Sequence, residues 1–321
     1  MRKFFKNSLL FILLVILLAY PLDLIISHSL KKSNYASGEY NTWNDIYNGK
    51  INSEIVIYGS SRALRHIDPN LLKNKLGFSA YNLGIDGHNF WMEYLRHITL
   101  LKYNKKPKYI IMSIDIWSLQ KRTKLYNAEQ FLPYMLLNKD IINYTSSYNG
   151  FISLDYYLPL IRYVGNKKAV VQSIENSIFF PKTKSKRKKG YQGFDFVWNN
   201  DLSNAKQKMK HYEGKLDIDL IKLFDKFLLE CKEKDIKVIL VYTPEYFEGQ
   251  KFVKNRKEVI TLFENFSEKH KIPFLDYSNN EICTKKEYFY NASHLNKTGA
   301  ELFTNMLIND LKERDIIISP N

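Results

Sequence analysis

From residue 54 onward, short apolar runs rich in β-branched residues alternate with stretches of helical periodicity. That alternation restricts the possible folds more than any other feature of the chain. "EIVIYG" (54–59), "SAYNLG" (79–84), "KYIIMSID" (108–115), "IKVILVYTP" (236–244) and "IPFLDYS" (272–278) read as five strands. Helical patterns fall at about 69–76, 89–103, 216–233, 251–270 and 296–313. In the last of these, Ala300, Phe303, Leu307 and Leu311 make one apolar face. Strands alternating with helices predict an α/β fold whose parallel sheet is covered on both sides. The first, third and fourth runs are apolar throughout, as burial on both faces requires. Ligands of such sheets bind outside the carboxyl ends of the strands, so the residues just after each strand are the candidates for chemistry.

Two segments stand outside the alternation. "MRKFFKNSLLFILLVILLAYPLDLIISHSLKK" begins with Arg2, Lys3 and Lys6, followed by an apolar stretch from Ser8 to Ile26 broken only by Pro21 and Asp23. Its length is close to the roughly 20 residues that a spanning helix needs. No small-x-small cleavage site stands near residues 20–30, so residues 1–32 read as an uncleaved signal anchor with the basic end cytoplasmic. The expected placement is therefore a single-pass membrane protein with residues 33–321 outside the cytoplasm. Cleavage of a signal peptide, followed by secretion, is the alternative. The second segment, residues 119–210, is an aromatic-rich insertion in the α/β domain and reads either as a helical cap beside the active face or as an inert subdomain. It contains "KTKSKRKK" at 182–189, the one dense cluster behind a formal charge of +15. A solvated loop, or a contact with anionic headgroups or a phosphate-rich polymer, accounts for that cluster. No nucleic-acid-binding motif accompanies it, so no nucleic-acid partner is expected. The only cysteines, Cys231 and Cys283, lack CxxC spacing and form neither a disulfide framework nor a metal site; free thiols are expected over a single bridge.

The strand ends carry a coherent set of side chains. The first strand delivers Gly59-Ser60-Ser61-Arg62, and the second delivers "YNLGIDGHNF" with Gly84, His88 and Asn89. The third delivers Asp115, and "YNASHLNKTGAELF" sets Asn291 and His294 just before the final helix. Taken singly, Ser61 is a helix N-cap and Gly84 a turn residue. Taken together, they are a serine, a glycine and a histidine, each at the edge where this kind of sheet binds ligands.

The set resembles the SGNH (GDSL-type) hydrolase superfamily, esterases and acyltransferases with a flavodoxin-like three-layer fold. The resemblance covers about residues 50–115 and 215–315, not the insertion. It implies that Ser61 is the nucleophile, that Gly84 lends a backbone N–H to the oxyanion hole, and that His294 is the base. "GSSR" in place of Gly-Asp-Ser is similar to the membrane-anchored envelope branch, whose members acylate alginate, peptidoglycan or teichoic acid. Two departures stand out. The aspartate of the family's Asp-x-x-His falls on Asn291, and the Gly-x-Asn-Asp block after strand three has no match in "SIDIWSLQKR". Asn291 can orient the ring through its carbonyl oxygen but adds no charge. Asp276, after strand five, is the alternative orienting acid.

These residues lead to one expectation: a serine esterase or O-acyltransferase acting on acyl esters of a cell-envelope polysaccharide. Ser61 attacks, the N–H groups of Ser61 and Gly84 with Asn89 as third donor stabilise the oxyanion, and Arg62, His88 or Asp115 contact substrate. A salt bridge is the competing role for Arg62, and His88 is a rival base. No metal or diffusible cofactor is implied. A transferase would need an acyl donor, presented by a multi-spanning membrane protein. The alternatives are a glycan-binding or envelope-assembly protein with a decayed site, and a surface adaptor whose basic cluster binds lipid headgroups.

Overall fold

The computed structural model describes residues 1–36, 38–179 and 187–318. Most of the basic cluster, residues 182–186, lies outside them. The described chain clusters into two compact units, one from residues 1–45 and 122–186, the other from residues 46–121 and 187–321.

The second unit holds the sheet. Strands β1 (Ile55–Gly59), β2 (Ala80–Asn82), β3 (Tyr109–Ile114), β4 (Lys237–Tyr242) and β5 (Phe274–Asp276) run parallel in the order β2-β1-β3-β4-β5. This is the doubly wound order in which the chain reverses direction between β1 and β3, leaving a crevice at their carboxyl ends. Every residue of β1, β2 and β3 is buried, which is why those runs carry no polar alternation. Ile55, Ile57, Ile111, Ile239 and Val241 pack with Phe303, Leu307 and Leu311 of the last helix, Lys297–Glu313. On the opposite face, Phe90, Phe224, Phe227 and Phe263 form an aromatic layer from the helices Phe90–Tyr103, Ile218–Glu233 and Arg256–His270. The result is the three-layer α/β sandwich expected from the alternation.

Local signals set the helix ends. Asp68 caps the N–H of Asn70, Pro69 occupies the first helical position, and Gly77 ends the helix Pro69–Leu76 in the left-handed region at φ 80°. Cys231 and Cys283 are buried and free. Burial pushes their thiols up to about 12 and about 11, respectively. A feature absent from the strand reading is the small antiparallel hairpin of β6 (Phe289–Asn291) and β7 (His294–Leu295), which pairs Asn291 with His294.

The first unit is built on the helix Arg2–Lys31, long and apolar enough to cross a membrane. Its apolar side chains from Phe4 to Leu22 are largely exposed, but Asp23 is fully buried. The Arg162 guanidinium grips that carboxylate with two prongs, Nη1 to Oδ2 at 2.7 Å and Nη2 to Oδ1 at 2.6 Å. Ser27 Oγ lies 2.8 Å from the Tyr163 hydroxyl, and the Asn44 side chain donates to the Lys31 carbonyl. Of the 119–210 insertion, residues 122–179 fall in this unit, and residues 119–121 and 187–210 in the sheet unit.

Gly59 closes β1 at φ 139°, and a Cβ there would sit 2.4 Å from the Ser113 carbonyl oxygen. Replacing it by alanine is therefore expected to destabilise the sheet unit by roughly 3 kcal/mol. A guanidinium titration of the detergent-solubilised chain measures this; an unchanged midpoint would mean that β1 can shift to make room.

Candidate active site

The helix Ser61–His66 begins directly after β1, because Ser60 takes the N-cap position and its hydroxyl accepts from the Arg62 N–H. The same hydroxyl donates to Asp115 Oδ2 at 2.5 Å, tying the end of β1 to the end of β3. Ser61 is thereby fixed as the first helical residue at the reversal point of the sheet. Its N–H has no intrahelical carbonyl available at that position.

Ser61 Oγ lies 2.8 Å from Nε2 of His294. Across the hairpin, His294 Nδ1 is 3.0 Å from Asn291 Oδ1. That oxygen also accepts from the Ser293 N–H at 3.1 Å, while Asn291 Nδ2 donates to Asp201 Oδ2 at 3.0 Å. The four side chains thus form one chain of hydrogen bonds, Ser61–His294–Asn291–Asp201. The His294 ring is stacked on Tyr290 at 5.3 Å between centroids. Arg65 bonds the Tyr290 hydroxyl and pairs with Asp86 at 2.7 Å.

Electrostatically the site favours a neutral imidazole. Burial, followed by the positive charges of Arg65 and Arg62, holds His294 well below the ordinary histidine value of 6.5. His66, at the far end of the helix, is lowered in the same way by burial, Arg62, His294 and Arg65. Its Nε2 accepts the Leu295 N–H at 3.0 Å and its Nδ1 lies 2.8 Å from Thr243 Oγ1. An Nε2 that accepts must be unprotonated, so His66 is a neutral clamp on the strand that carries His294.

Several sequence-predicted residues serve the fold instead of the crevice. The Arg62 guanidinium is buried, where it pairs with Glu245 at 2.7 Å and donates through Nε to Thr243 Oγ1; it is the salt bridge, not a substrate anchor. Asp115 is fully buried and accepts from Ser60, Ser118 and the Trp117 N–H. The Gly84 N–H is engaged by Asn82 Oδ1 at 2.9 Å, which removes it from oxyanion duty. Its lack of a side chain matters for packing, since a Cβ would come within 2.4 Å of the Leu64 nitrogen. Asn89 is buried and donates to the Gln120 carbonyl, and His88 is buried. Asp276 is exposed and caps the Ser278 N–H, while Asn291 holds the His294 position meant for it.

Two residues escaped the sequence reading. Asp201 opens the helix Asp201–Lys208 inside the insertion, 90 positions from its partner and in no motif. His66 likewise stands in no motif. A cavity of about 320 Å³ adjoins the hairpin, lined by Asn291 and Ser293 together with Trp117, Met209, Phe252 and Val253. Among the described residues no group of three or more His, Cys, Asp or Glu side chains is placed to hold a metal ion.

No protein-family model and no curated protein matches the chain. Solved structures do. A GDSL-like lipase from Bacteroides thetaiotaomicron is 13% identical, over 87% of this chain and 99% of its own, at a TM-score of 0.37. An acetyl xylan esterase is 11% identical, over 80% of this chain and 99% of its own, at a TM-score of 0.40.

The depressed histidines fix the sign of a pH effect. Between the folded value and about 6.5 the unfolded chain binds more protons than the folded one. Stability contributed by His66 and His294 is thus fully present above 6.5 and is lost as pH falls below it. Chemical denaturation midpoints across that range should fall with acidity, and fall less in His66→Gln. A midpoint flat from neutral pH downward would contradict the burial of the neutral rings.

Proposed function

We propose that the chain is a membrane-anchored SGNH-type serine esterase or O-acyltransferase, acting outside the cytoplasm on acyl esters of a cell-envelope polysaccharide. The observation that carries the reading is the 2.8 Å contact between Ser61 Oγ and His294 Nε2, with Asn291 behind the ring. A serine hydroxyl becomes a competent nucleophile when a neighbouring imidazole accepts its proton. Ser61 Oγ attacks the ester carbonyl carbon and its proton passes to Nε2. The tetrahedral oxyanion is met by backbone N–H groups, that of Ser61 first. The bond from carbon to the leaving alkoxide breaks, Nε2 returns the proton to it, and the acyl group stays on Ser61. Water or a sugar hydroxyl then loses its proton to Nε2 and attacks the acyl carbon, which frees Ser61. Esterase and transferase differ only in that acceptor, and a transferase would draw its acyl group from a separate multi-spanning membrane protein.

The neutral Asn291 supports the imidazolium through a carbonyl dipole alone. A full carboxylate-to-amide change in another serine triad costs about 10⁴-fold, so slow turnover on simple esters follows. The same neutrality favours a second reading, a glycan-binding protein with a decayed site. For the anchor, residues 23–31 are the support. Cleavage after residue 23 would strand the buried Arg162 guanidinium, at a cost of about 3–5 kcal/mol. The exposed part of the helix ahead of Asp23, about 19 residues from Phe4 to Leu22 with Lys6 and Asn7 near its start, rises about 28 Å, close to the roughly 30 Å hydrocarbon core of a bilayer.

Two measurements follow. The full chain in detergent, given p-nitrophenyl acetate and a fluorophosphonate probe, should hydrolyse and be labelled. Ser61→Ala and His294→Ala should lose at least about 10³-fold. A wild-type chain inert to both reagents would favour the binding reading. Intact mass of the membrane-extracted protein should include Arg2–Lys31; a species beginning after residue 23 would rule out the anchor.

A further inference from the structure

An asparagine next to a catalytic-type histidine has a problem that an aspartate does not. Its side chain presents an acceptor on one end and a donor on the other, with the same shape. If Oδ1 faces His294 Nδ1, that nitrogen carries the proton and Nε2 has a lone pair for the Ser61 hydroxyl. If the amide is turned over, Nδ2 donates to Nδ1, the ring proton moves to Nε2, and Ser61 has no base. Something must choose between the two states.

We propose that Asp201 is a positioning residue that locks the amide of Asn291 and thereby sets the tautomer of His294. The inference rests on the Ser61–His294 reading and deepens it. A carboxylate only accepts, so Asp201 Oδ2, at 3.0 Å, must meet the Nδ2 end of Asn291. The Ser293 N–H only donates, and at 3.1 Å it meets the Oδ1 end. Both contacts select the same orientation, the one that puts Oδ1 3.0 Å from His294 Nδ1. Asp201 is in turn held by the Asn199 side chain, whose Nδ2 donates to the same carboxylate oxygen at 2.8 Å.

The negative charge sits one amide away from the imidazole and is exposed to solvent, where screening weakens it. Orientation is therefore the main contribution of Asp201, and charge the lesser. The arrangement also explains why position 291 is an amide. A carboxylate there would face Asp201 at about the same 3.0 Å separation, two like charges with no donor between them.

The test uses the full chain in detergent with ¹⁵N-labelled histidine, reading the His294 ring nitrogens alongside the rate of fluorophosphonate labelling. Four variants are compared: Asp201→Ala, Asp201→Asn, Asn291→Asp and the double exchange Asp201→Asn with Asn291→Asp. Asp201→Ala should slow labelling about 10- to 100-fold, short of the roughly 10⁴-fold of a wholly wrong tautomer because the Ser293 N–H remains. Its ring signals should move from the Nδ1–H pattern toward Nε2–H. Asp201→Asn should keep more activity, since an amide at 201 can turn its oxygen to Asn291. Asn291→Asp alone should be impaired. The double exchange should recover at least 10-fold over it and raise the pH at which His294 titrates, because a carboxylate then touches the ring and an amide donates to that carboxylate.

Unchanged labelling and ring signals in Asp201→Ala, or a double exchange no better than Asn291→Asp, would overturn the proposal while leaving the Ser61–His294 reading intact. If the wild-type chain itself is not labelled, that reading fails. The ring signals still decide the role of Asp201, a shift in Asp201→Ala supporting it and no shift overturning it.

Discussion

The bond from Ser60 to Asp115 fixes where the short helix after β1 starts, and the rest of the crevice is arranged around that helix. Six residues, Ser61–His66, connect three strand ends and a hairpin. Its N-cap is tied to the end of β3 through Asp115. Its second residue, Arg62, reaches the loop after β4 through Thr243 and Glu245. Its last residue, His66, receives the Leu295 N–H and so holds β7. A displacement of this helix would carry Ser61 and the His294 strand together, which keeps their 2.8 Å contact insensitive to small movements of the sheet. The two glycines that let backbones approach, Gly59 against β3 and Gly84 against Leu64, are the steric conditions for that arrangement.

The sheet was legible in the sequence because its central strands, β1, β3 and β4, are buried on both faces over nearly all their length and so appear as continuous apolar runs. Five runs were read and five parallel strands are present. The serine and histidine were legible because their neighbours fall in recognisable local patterns. The assignments that differ share one physical origin. Arg62, Asp115, Gly84 and Asn89 all stand at strand or helix ends, where polar groups are needed both to satisfy backbone and to bind ligands. Sequence position is the same for both uses, and only the partner atom separates them. Thr243 and Glu245 for Arg62, and Asn82 for Gly84, are such partners.

Pairs distant in the chain were the other blind spot. Asp201 is 90 positions from Asn291, and Arg162 is 139 from Asp23. In a hydropathy window Asp23 is merely an interruption of an apolar stretch. In the fold it is half of a buried two-pronged ion pair, and the interruption marks where the helix stops being lipid-like and becomes part of a packed unit. The hairpin of β6 and β7 belongs here too, since two or three residues per strand leave too little pattern to read.

The buried thiols make the sheet unit report on its own breathing. Cys231 lies in the helix Ile218–Glu233, on the aromatic side of the sheet. Cys283 lies in the turn Glu281–Thr284, a few residues before the hairpin, with its sulfur donating to the Tyr277 carbonyl. A thiol reagent reacts with thiolate that solvent can reach, and neither sulfur offers that while its element stays closed. The two modification rates therefore count two kinds of opening, one of a long core helix and one of the segment leading into the strand of His294. Local openings of that kind differ widely in free energy within one domain. A chain with only two cysteines thus carries one clock on the scaffold and one beside the hairpin that holds His294.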